Sequence, residues 1–174
     1  MSRLDWGLRG RAVIVTGGAG AIGQAICEGF AEAGARVAVV DREEGAAAAV
    51  AARLEGDGHA GFGADLADIP ALAPLVARIE ARAGLCTVLA NVAGVIRRNP
   101  DLLSVTEEEW DGQHAVNLKA TFFLSQAFAA RLIAAGRPGA IVNTTSQGWW
   151  SGGYGGSVVY NAAKGGVATM TRGL

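Results

Sequence analysis

The chain has 174 residues, a net charge of −1 and a 51% share of hydrophobic residues. That length suits one domain with a buried core, and the near-neutral charge argues against nucleic acid or an anionic membrane surface as a partner. No apolar run approaches the roughly 20 residues that a membrane-spanning helix requires. We therefore predict a single domain over residues 1–174, with neither nucleic acid nor a membrane as its partner.

Three further features narrow the class of protein. Residues 1–6 (MSRLDW) lack the apolar core of a signal peptide, which predicts a cytoplasmic protein. Cys27 and Cys86 are far apart in sequence, and we interpret both as buried, reduced thiols. His59 and His114 have no partners at metal-ligand spacing, so we expect no metal site.

Short apolar runs alternate along the chain with longer helical patterns. The first run, RAVIVT, is short and β-branched, as in a buried strand, and a glycine-rich turn connects it to a helical pattern. The predicted strands are residues 11–16, 35–41, 60–65, 85–90 and 139–144. The predicted helices are residues 21–33 and 43–55, a segment that ends near residue 83, residues 106–135, and a last helix from about residue 157 to residue 174.

Two helix starts are marked by particular residues. Thr106 and Glu109 have the spacing of a capping box and predict the start of the long fourth helix. Pro70 and Pro74 leave the start of the third helix open, because both prolines cannot lie deep inside a helix.

The alternation of strands and helices predicts an α/β fold, a parallel sheet with right-handed crossovers and helices on both faces. In such doubly wound sheets, ligands bind beyond the carboxyl ends of the strands. Polar residues at or just past these predicted ends are Thr16, Asp41, Asp65, Asn91 and Ser146. We therefore expect a ligand site at this edge of the sheet.

Tyr160 and Lys164 are four residues apart, which places them on one face of a helix. A fixed ammonium near a phenol favours the phenolate, so the pair can serve as a proton donor and acceptor near neutral pH. This spacing alone is common by chance. Here it occurs together with the glycine-rich turn of residues 16–23 and with Ser146 at the end of an apolar run.

On these motifs the chain resembles the short-chain dehydrogenase/reductase family over nearly its whole length. Residues 16–23 match the family's Thr-Gly-x-x-x-Gly-x-Gly turn, except that Ala21 replaces the middle glycine. Residues 91–94 match its Asn-Asn-Ala-Gly element, with Val92 at the second position. The four residues that match the family's catalytic tetrad are Asn117, Ser146, Tyr160 and Lys164.

The resemblance implies a Rossmann-like fold with strand order 3-2-1-4-5, and a chain truncated before the last two family strands. It also implies NAD(H)-dependent interconversion of a secondary alcohol and a ketone. Tyr160 would exchange the proton, Lys164 would support it and hold the nicotinamide ribose, Ser146 would orient the substrate oxygen, and Asn117 would hold a water. A serine hydrolase is the rival chemistry, but Ser146 lacks a Gly-x-Ser-x-Gly elbow and no histidine follows it.

The cofactor prediction rests on the turn and on one carboxylate. Gly17 and Gly23 allow the tight turn and the close approach of a pyrophosphate to a helix N-terminus. Asp41 can accept hydrogen bonds from ribose hydroxyls and would repel a 2′-phosphate, which favours NAD, although Arg42 leaves NADP open. Asp65, with Leu66, resembles the family's adenine-contacting pair, although Asp65 could instead cap a helix. The predicted cofactor contacts are Gly17, Gly20, Ile22, Gly23, Asp41, Asp65, Leu66, Asn91, Ala93, Gly94, Tyr160 and Lys164.

The substrate is less constrained. Trp149, Trp150 and Tyr154 could stack on a sugar or pack against the core or another subunit, and Arg97 and Arg98 could bind a carboxylate or remain solvated.

The runs of residues 93–98, 110–111 and 117–126 resemble the deoxygluconate and keto-deoxyuronate dehydrogenase branch of the family. This branch predicts a sugar acid as the small-molecule substrate, and the family predicts a homo-oligomer for the full-length protein. The early stop leaves the activity of the 174-residue chain in doubt. The alternative is a truncated, non-catalytic dinucleotide-binding or assembly module.

Overall fold

A computed structural model describes residues 6–174, so the prediction made on the first residues of the chain lies largely outside the described part. A parallel five-stranded sheet has the order β3-β2-β1-β4-β5, which confirms the predicted topology. Its strands are Ala12–Thr16 (β1), Arg36–Asp41 (β2), Ala60–Gly63 (β3), Cys86–Asn91 (β4) and Ala140–Asn143 (β5).

The helices lie between the strands, as the alternating pattern predicts. They are Ala21–Glu32 (α1), Glu44–Ala51 (α2), Ile69–Ala83 (α3), Glu107–His114 (α4), Ala120–Ala134 (α5), Gly148–Ser151 (α6) and Val158–Thr171 (α7). None of these helices is long and apolar enough to cross a membrane.

The hydrophobic core has two halves, one on each face of the sheet. Successive side chains of a strand point to opposite faces, and β1 supplies both halves. Ile14 packs with Phe128 of α5 on one face, in the cluster that also holds most of the buried residues of α3. Val15 packs with Cys27 of α1 and Val50 of α2 on the other. All five residues of β1 are buried, which explains why its sequence is an uninterrupted apolar run ending in threonine.

Both cysteines are buried and unpaired, as predicted. Burial raises the pKa of the Cys27 and Cys86 thiols to about 12, because the thiolate loses its hydration. Neither thiol is therefore suited to nucleophilic chemistry.

The third helix accommodates both prolines. Pro70 lies in its first turn, where a backbone N–H has no partner within the helix. Pro74 lies inside the helix and removes one N–H donor, which leaves the carbonyl of Pro70 without its helical partner. Both prolines are exposed, so water can reach that carbonyl.

The long fourth helix that the sequence predicts is continuous, but it consists of α4, a π-helical segment and α5. The predicted capping box is confirmed, with Thr106 and Glu109 bonding to each other's backbone N–H. Between α4 and α5 the residues Ala115–Lys119 form a π-helical segment, which the predicted regular helix did not include. Such insertions are frequent at functional sites, and this one contains Asn117.

Three helix ends or elements differ from the sequence prediction. The second helix ends at Ala51 because the next residues form tighter i→i+3 turns, such as the bond from the Leu54 N–H to the Ala51 carbonyl. The last helix ends at Thr171 rather than continuing to the end of the chain, and Gly173 follows it, a residue that loses much entropy in a helix. The short helix α6 was expected to be loop.

Candidate active site

A cleft of about 830 Å³ lies beyond the carboxyl ends of β1, β2, β3 and β4. It is lined by the glycine-rich turn, the end of β2, the loop after β3 and the segment after β4. Predicted cofactor contacts among its lining residues are Gly17, Gly20, Ile22, Gly23, Asp41, Asp65, Leu66, Ala93 and Gly94. The folded chain therefore brings together most of the residues that the sequence singled out.

The glycine-rich turn has no room for side chains at Gly17, Gly18 or Gly23, and a Cβ on Gly18 would lie 2.5 Å from Val39 Cγ1. Gly17 adopts φ +65°, and a Cβ there would lie 2.7 Å from the Cα of Ala93. A Cβ on Gly23 would overlap the carbonyl oxygen of Gly17. Gly20 precedes α1 and has no side chain that could cap the helix. The first N–H groups of α1 therefore have no side-chain acceptor. This cradle fits the pyrophosphate of a dinucleotide.

Asp41 helps to shape the turn as well as to line the cleft. Its Oδ2 accepts a hydrogen bond from the Ala19 N–H at 2.9 Å, and its Oδ1 accepts one from the Arg42 N–H at 2.8 Å. Each carboxylate oxygen has a second lone-pair direction, so further donors can still bind. The Arg42 guanidinium lies 3.6 Å from Glu43 in a highly exposed ion pair, which constrains it little.

The two other predicted adenosine-side residues have different surroundings. Asp65 accepts a hydrogen bond from the Ala67 N–H at 2.9 Å, two residues further on, and α3 is preceded by Asp68. The alternative that Asp65 caps this helix is therefore wrong. Its other acceptor directions remain open toward the cleft, where Leu66 also lies.

Asn91 differs from the other predicted cofactor contacts, because its side chain is buried and bonded within the protein. Its Nδ2 donates to Ser125 Oγ at 3.1 Å and to Asn143 Oδ1 at 2.9 Å. These bonds join β4 to α5 and to β5. Any contact between Asn91 and a cofactor would have to use other atoms of the residue.

Lys164 and Asn117 meet the cleft wall at Gly94. A Cβ on Gly94 would lie 3.6 Å from Lys164 Nζ and 2.9 Å from Asn117 Oδ1. Lys164 is only 3% exposed, and its ammonium donates to the Thr144 carbonyl at 2.7 Å. Its Nζ also lies 5.8 Å from the centre of the Tyr160 ring. The ammonium thus lies near both the tyrosine ring and Gly94, although neither Lys164 nor Tyr160 lines the cleft itself.

The side chain of Asn117 is committed to the backbone on the cleft side. It is fully buried, its Nδ2 donates to the Val95 carbonyl at 2.8 Å, and its Oδ1 accepts from the Val95 N–H at 2.9 Å. The π-helical segment therefore carries a residue that fixes the chain immediately after Gly94.

Ser146 and Tyr160 are both half-buried. Ser146 Oγ accepts a hydrogen bond from the Gly148 N–H at 3.1 Å at the start of α6. A hydroxyl in this arrangement still has its own proton to donate. Tyr160 lies on the first turn of α7, one helical turn before Lys164.

The two arginines that the sequence grouped together have different environments. Arg97 lines the cleft. Arg98 instead donates from Nη1 to the Tyr154 carbonyl at 2.9 Å and so ties two loops together. The rings of Trp149 and Trp150 meet edge to face with centres 5.9 Å apart, and most of Trp150 is exposed.

One residue near the site had not been selected from the sequence. Gln113 on α4 is 1% exposed, and its Oε1 accepts a hydrogen bond from the Arg97 N–H at 2.9 Å. Its only sequence signal is its spacing, four residues after Glu109 and four before Asn117. Within residues 6–174 there is no group of three or more side chains that could hold a metal ion.

Burial lowers the pKa of Lys164 below its ordinary value of 10.5, because the ammonium loses hydration. Below this lowered pKa, the folded and unfolded states are both protonated, and folding carries the full cost of burying the charge. Between the lowered pKa and 10.5 the unfolded state binds more protons, so the free energy of unfolding rises with pH.

We expect Lys164→Met to remove this pH dependence. The free energy of unfolding of the wild-type chain should rise relative to that of the variant as the pH increases toward 10.5. Urea titrations at a series of pH values measure the difference. Lys119→Met, at an exposed lysine, is the matched control and should keep the wild-type slope. A difference that stays constant or falls with pH would contradict the expected effect.

Comparisons with known proteins agree with this geometry. The sequence profile of the short chain dehydrogenases matches residues 11–174. The chain is 42% identical over 146 residues to the D-threitol dehydrogenase of Mycolicibacterium smegmatis, and this alignment covers 82% of this chain and 55% of that enzyme. It is 34% identical over 165 residues to the 2-dehydro-3-deoxy-D-gluconate 5-dehydrogenase of Escherichia coli, and that alignment covers 95% of this chain and 64% of that enzyme.

A solved structure gives the same result. A metagenomic short-chain oxidoreductase in complex with NADP superposes with a TM-score of 0.82 and 34% sequence identity, over 95% of this chain and 75% of that chain. The chain spans less than two thirds of the length of the threitol and deoxygluconate enzymes. Because the family profile matches all but the first ten residues, the chain belongs to the short-chain dehydrogenase family.

Proposed function

We propose that this chain binds NAD(H) in the cleft and interconverts a secondary alcohol and a ketone on a polyhydroxylated substrate. The observation that carries the proposal is the position of the Lys164 ammonium, which lies 5.8 Å from the centre of the Tyr160 ring and close to Gly94 in the cleft wall. When bound, the nicotinamide accepts or supplies the hydride.

The chain's own residues would manage the proton and the substrate oxygen. Tyr160 takes the proton from the alcohol or returns it to the carbonyl oxygen, and the Lys164 ammonium lies 5.8 Å from the centre of its ring. The Ser146 hydroxyl donates to the same substrate oxygen and orients it. Asn117 contributes indirectly, because its two hydrogen bonds hold the backbone of Val95, next to Gly94.

The preference for NAD is assigned to Asp41. A carboxylate at the end of β2 can accept hydrogen bonds from ribose hydroxyls, and it would repel the 2′-phosphate of NADP. Arg42 is the residue that could reverse this preference, and its exposed ion pair with Glu43 leaves it mobile enough to do so. A family neighbour binds NADP, so the preference has to be measured on this chain.

The substrate class rests on two kinds of support. Named relatives act on D-threitol and on 2-dehydro-3-deoxy-D-gluconate, so both neutral polyols and sugar acids occur among them. In this chain the guanidinium-bearing Arg97 lines the cleft, which favours a substrate with a carboxylate. We therefore propose a sugar acid.

Dehydrogenase assays with a panel of alcohols test the proposal. Polyhydroxy acids should be oxidised faster than neutral polyols, aliphatic alcohols or steroids, and NAD should be preferred over NADP by at least about tenfold in kcat/KM, or about 1.4 kcal/mol. Equal use of the two cofactors would mean that Asp41 does not set a preference, because Arg42 accommodates the 2′-phosphate. Tight NADH binding without turnover on any alcohol would favour the alternative, a non-catalytic dinucleotide-binding module.

A further inference from the structure

Three polar side chains form a row along the fourth helix. Glu109, Gln113 and Asn117 are spaced by four residues, and each is bonded to the segment of residues 95–99 that follows β4. Four residues of a helix rise about 6 Å, and two residues of an extended chain advance roughly 6.7 Å. The row therefore matches alternate residues of an extended segment.

Two members of this row, Gln113 and Asn117, bond to backbone groups of the segment. Asn117 bonds to both the N–H and the carbonyl of Val95. Gln113 Oε1 accepts from the N–H of Arg97 at 2.9 Å. Both side chains are at most 1% exposed, so water has little access to their amide groups.

The third member of the row, Glu109, bonds to a side chain of the segment. Glu109 Oε2 accepts from Asn99 Nδ2 at 3.2 Å, and the same oxygen accepts from the Thr106 N–H in the capping box. The helix start and the segment after β4 are thus fixed by one carboxylate.

Beyond the row, the segment is joined to the glycine-rich loop before α7. Arg98 donates to the Tyr154 carbonyl, and the Asn99 N–H donates to the Gly156 carbonyl at 2.9 Å. Arg98 is thereby committed to the loop. Within residues 6–174 the Arg97 guanidinium makes no hydrogen bond or ion pair of its own, while its backbone is fixed by the helix and its side chain lines the cleft.

We propose that Gln113 is a positioning residue, which holds the backbone of Arg97 so that its guanidinium meets the carboxylate of an anionic substrate in the cleft. This inference rests on the proposed function. A guanidinium binds a carboxylate in a fixed planar geometry, so its affinity depends on where its backbone is anchored. Arg98 has no part in this contact, because its guanidinium bonds to Tyr154.

Replacing Gln113 by methionine removes the acceptor and keeps the length of the side chain. Arg97 is exposed, so its freed N–H can turn toward water, and we expect the segment to shift while the helix remains folded. Gln113→Glu retains an oxygen acceptor for the Arg97 N–H and is the conservative variant. Gln126→Met, at an exposed glutamine of α5, is the matched control.

The first measurement is hydrogen exchange of the peptide that contains residues 95–99. Exchange should accelerate about tenfold or more in Gln113→Met, and it should stay close to the wild-type rate in Gln113→Glu and Gln126→Met. Unchanged exchange in Gln113→Met would overturn the inference, since the Arg97 backbone would then not depend on this acceptor.

The second measurement is ligand binding to the NADH-saturated protein, with D-gluconate as the anionic probe and sorbitol as the neutral one. In Gln113→Met the Kd for gluconate should rise about fivefold or more, the Kd for sorbitol should change less than about twofold, and NADH affinity should be retained. Arg97→Ala should give the same selective loss, and Gln113→Glu should restore most of the gluconate affinity.

The outcomes separate the two levels of the proposal. Equal weakening of gluconate and sorbitol, with NADH binding intact, would mean that Gln113 only supports the fold, and it would overturn the positioning role. Failure of the wild-type chain to bind NADH would overturn the proposed function, and with it the role of Gln113 toward substrate.

Discussion

Tyr160→Phe should keep NADH binding and lose nearly all turnover, with kcat lowered on the order of 10²–10⁴-fold. The substitution removes the hydroxyl that we propose exchanges the proton, whereas the ring that lies 5.8 Å from the Lys164 ammonium remains. NADH titration and NAD-linked turnover, measured on the same preparations, separate the two effects. Tyr154→Phe is the matched control, because Tyr154 is 93% exposed and is the only other tyrosine.

A Tyr160→Phe variant that keeps more than about a tenth of the wild-type kcat would show that the proton is exchanged elsewhere. A proportional loss of NADH affinity would mean that the hydroxyl contributes mainly to cofactor binding. The Tyr154→Phe control should match the wild type in both measurements.

The second large effect is expected for Gly23→Ala, which should weaken dinucleotide binding by about 100-fold or more, equivalent to about 2.7 kcal/mol. The added methyl would overlap the Gly17 carbonyl oxygen and lie 2.8 Å from the Gly18 Cα. Both are backbone atoms, so the turn itself has to move, and with it the N–H groups that would face the pyrophosphate. Calorimetric titration with NADH measures the loss.

Gly29→Ala is the matched control for this effect. Gly29 lies on the same helix, is exposed, and has no atom within 4 Å of the position a Cβ would take. We expect unchanged NADH affinity and a helix stabilised by roughly 0.5–1 kcal/mol. NADH affinity of Gly23→Ala within about threefold of the wild type would show that the turn does not form the cofactor cradle.

The fold could be predicted because its signals are local. A strand buried on both faces is mainly apolar, as β1 and the centre of β4 are. The helices between the strands show apolar residues with a period of 3.6. The capping box was equally readable, because Thr106 and Glu109 satisfy each other within one turn. Helix ends were less predictable, since they depend on competing bonds such as those after Ala51.

The candidate site was predictable where strand ends bring residues together. Asp41 ends β2, the glycine-rich turn follows β1, and Gly94 lies just after β4. They meet in the cleft because the carboxyl ends of these strands lie at one edge of the sheet. The π-helical segment was not predicted, and Asn117 within it bonds to Val95, 22 residues away in sequence, a contact that no local pattern reveals. The separation of Arg97 from Arg98 has the same origin, since their partners lie on α4 and on the loop before α7.

The central position of β1 has a consequence for how the chain folds as it leaves the ribosome. β1 pairs with β2 on one side and with β4 on the other, and three helices and two strands lie between β1 and β4 in the chain. At ordinary synthesis rates of about 5–20 residues per second, roughly 4–15 s separate the appearance of β1 from that of β4. During that interval the edge of β1 that later pairs with β4 has no partner, so its free backbone groups and apolar side chains are open to pairing with another chain.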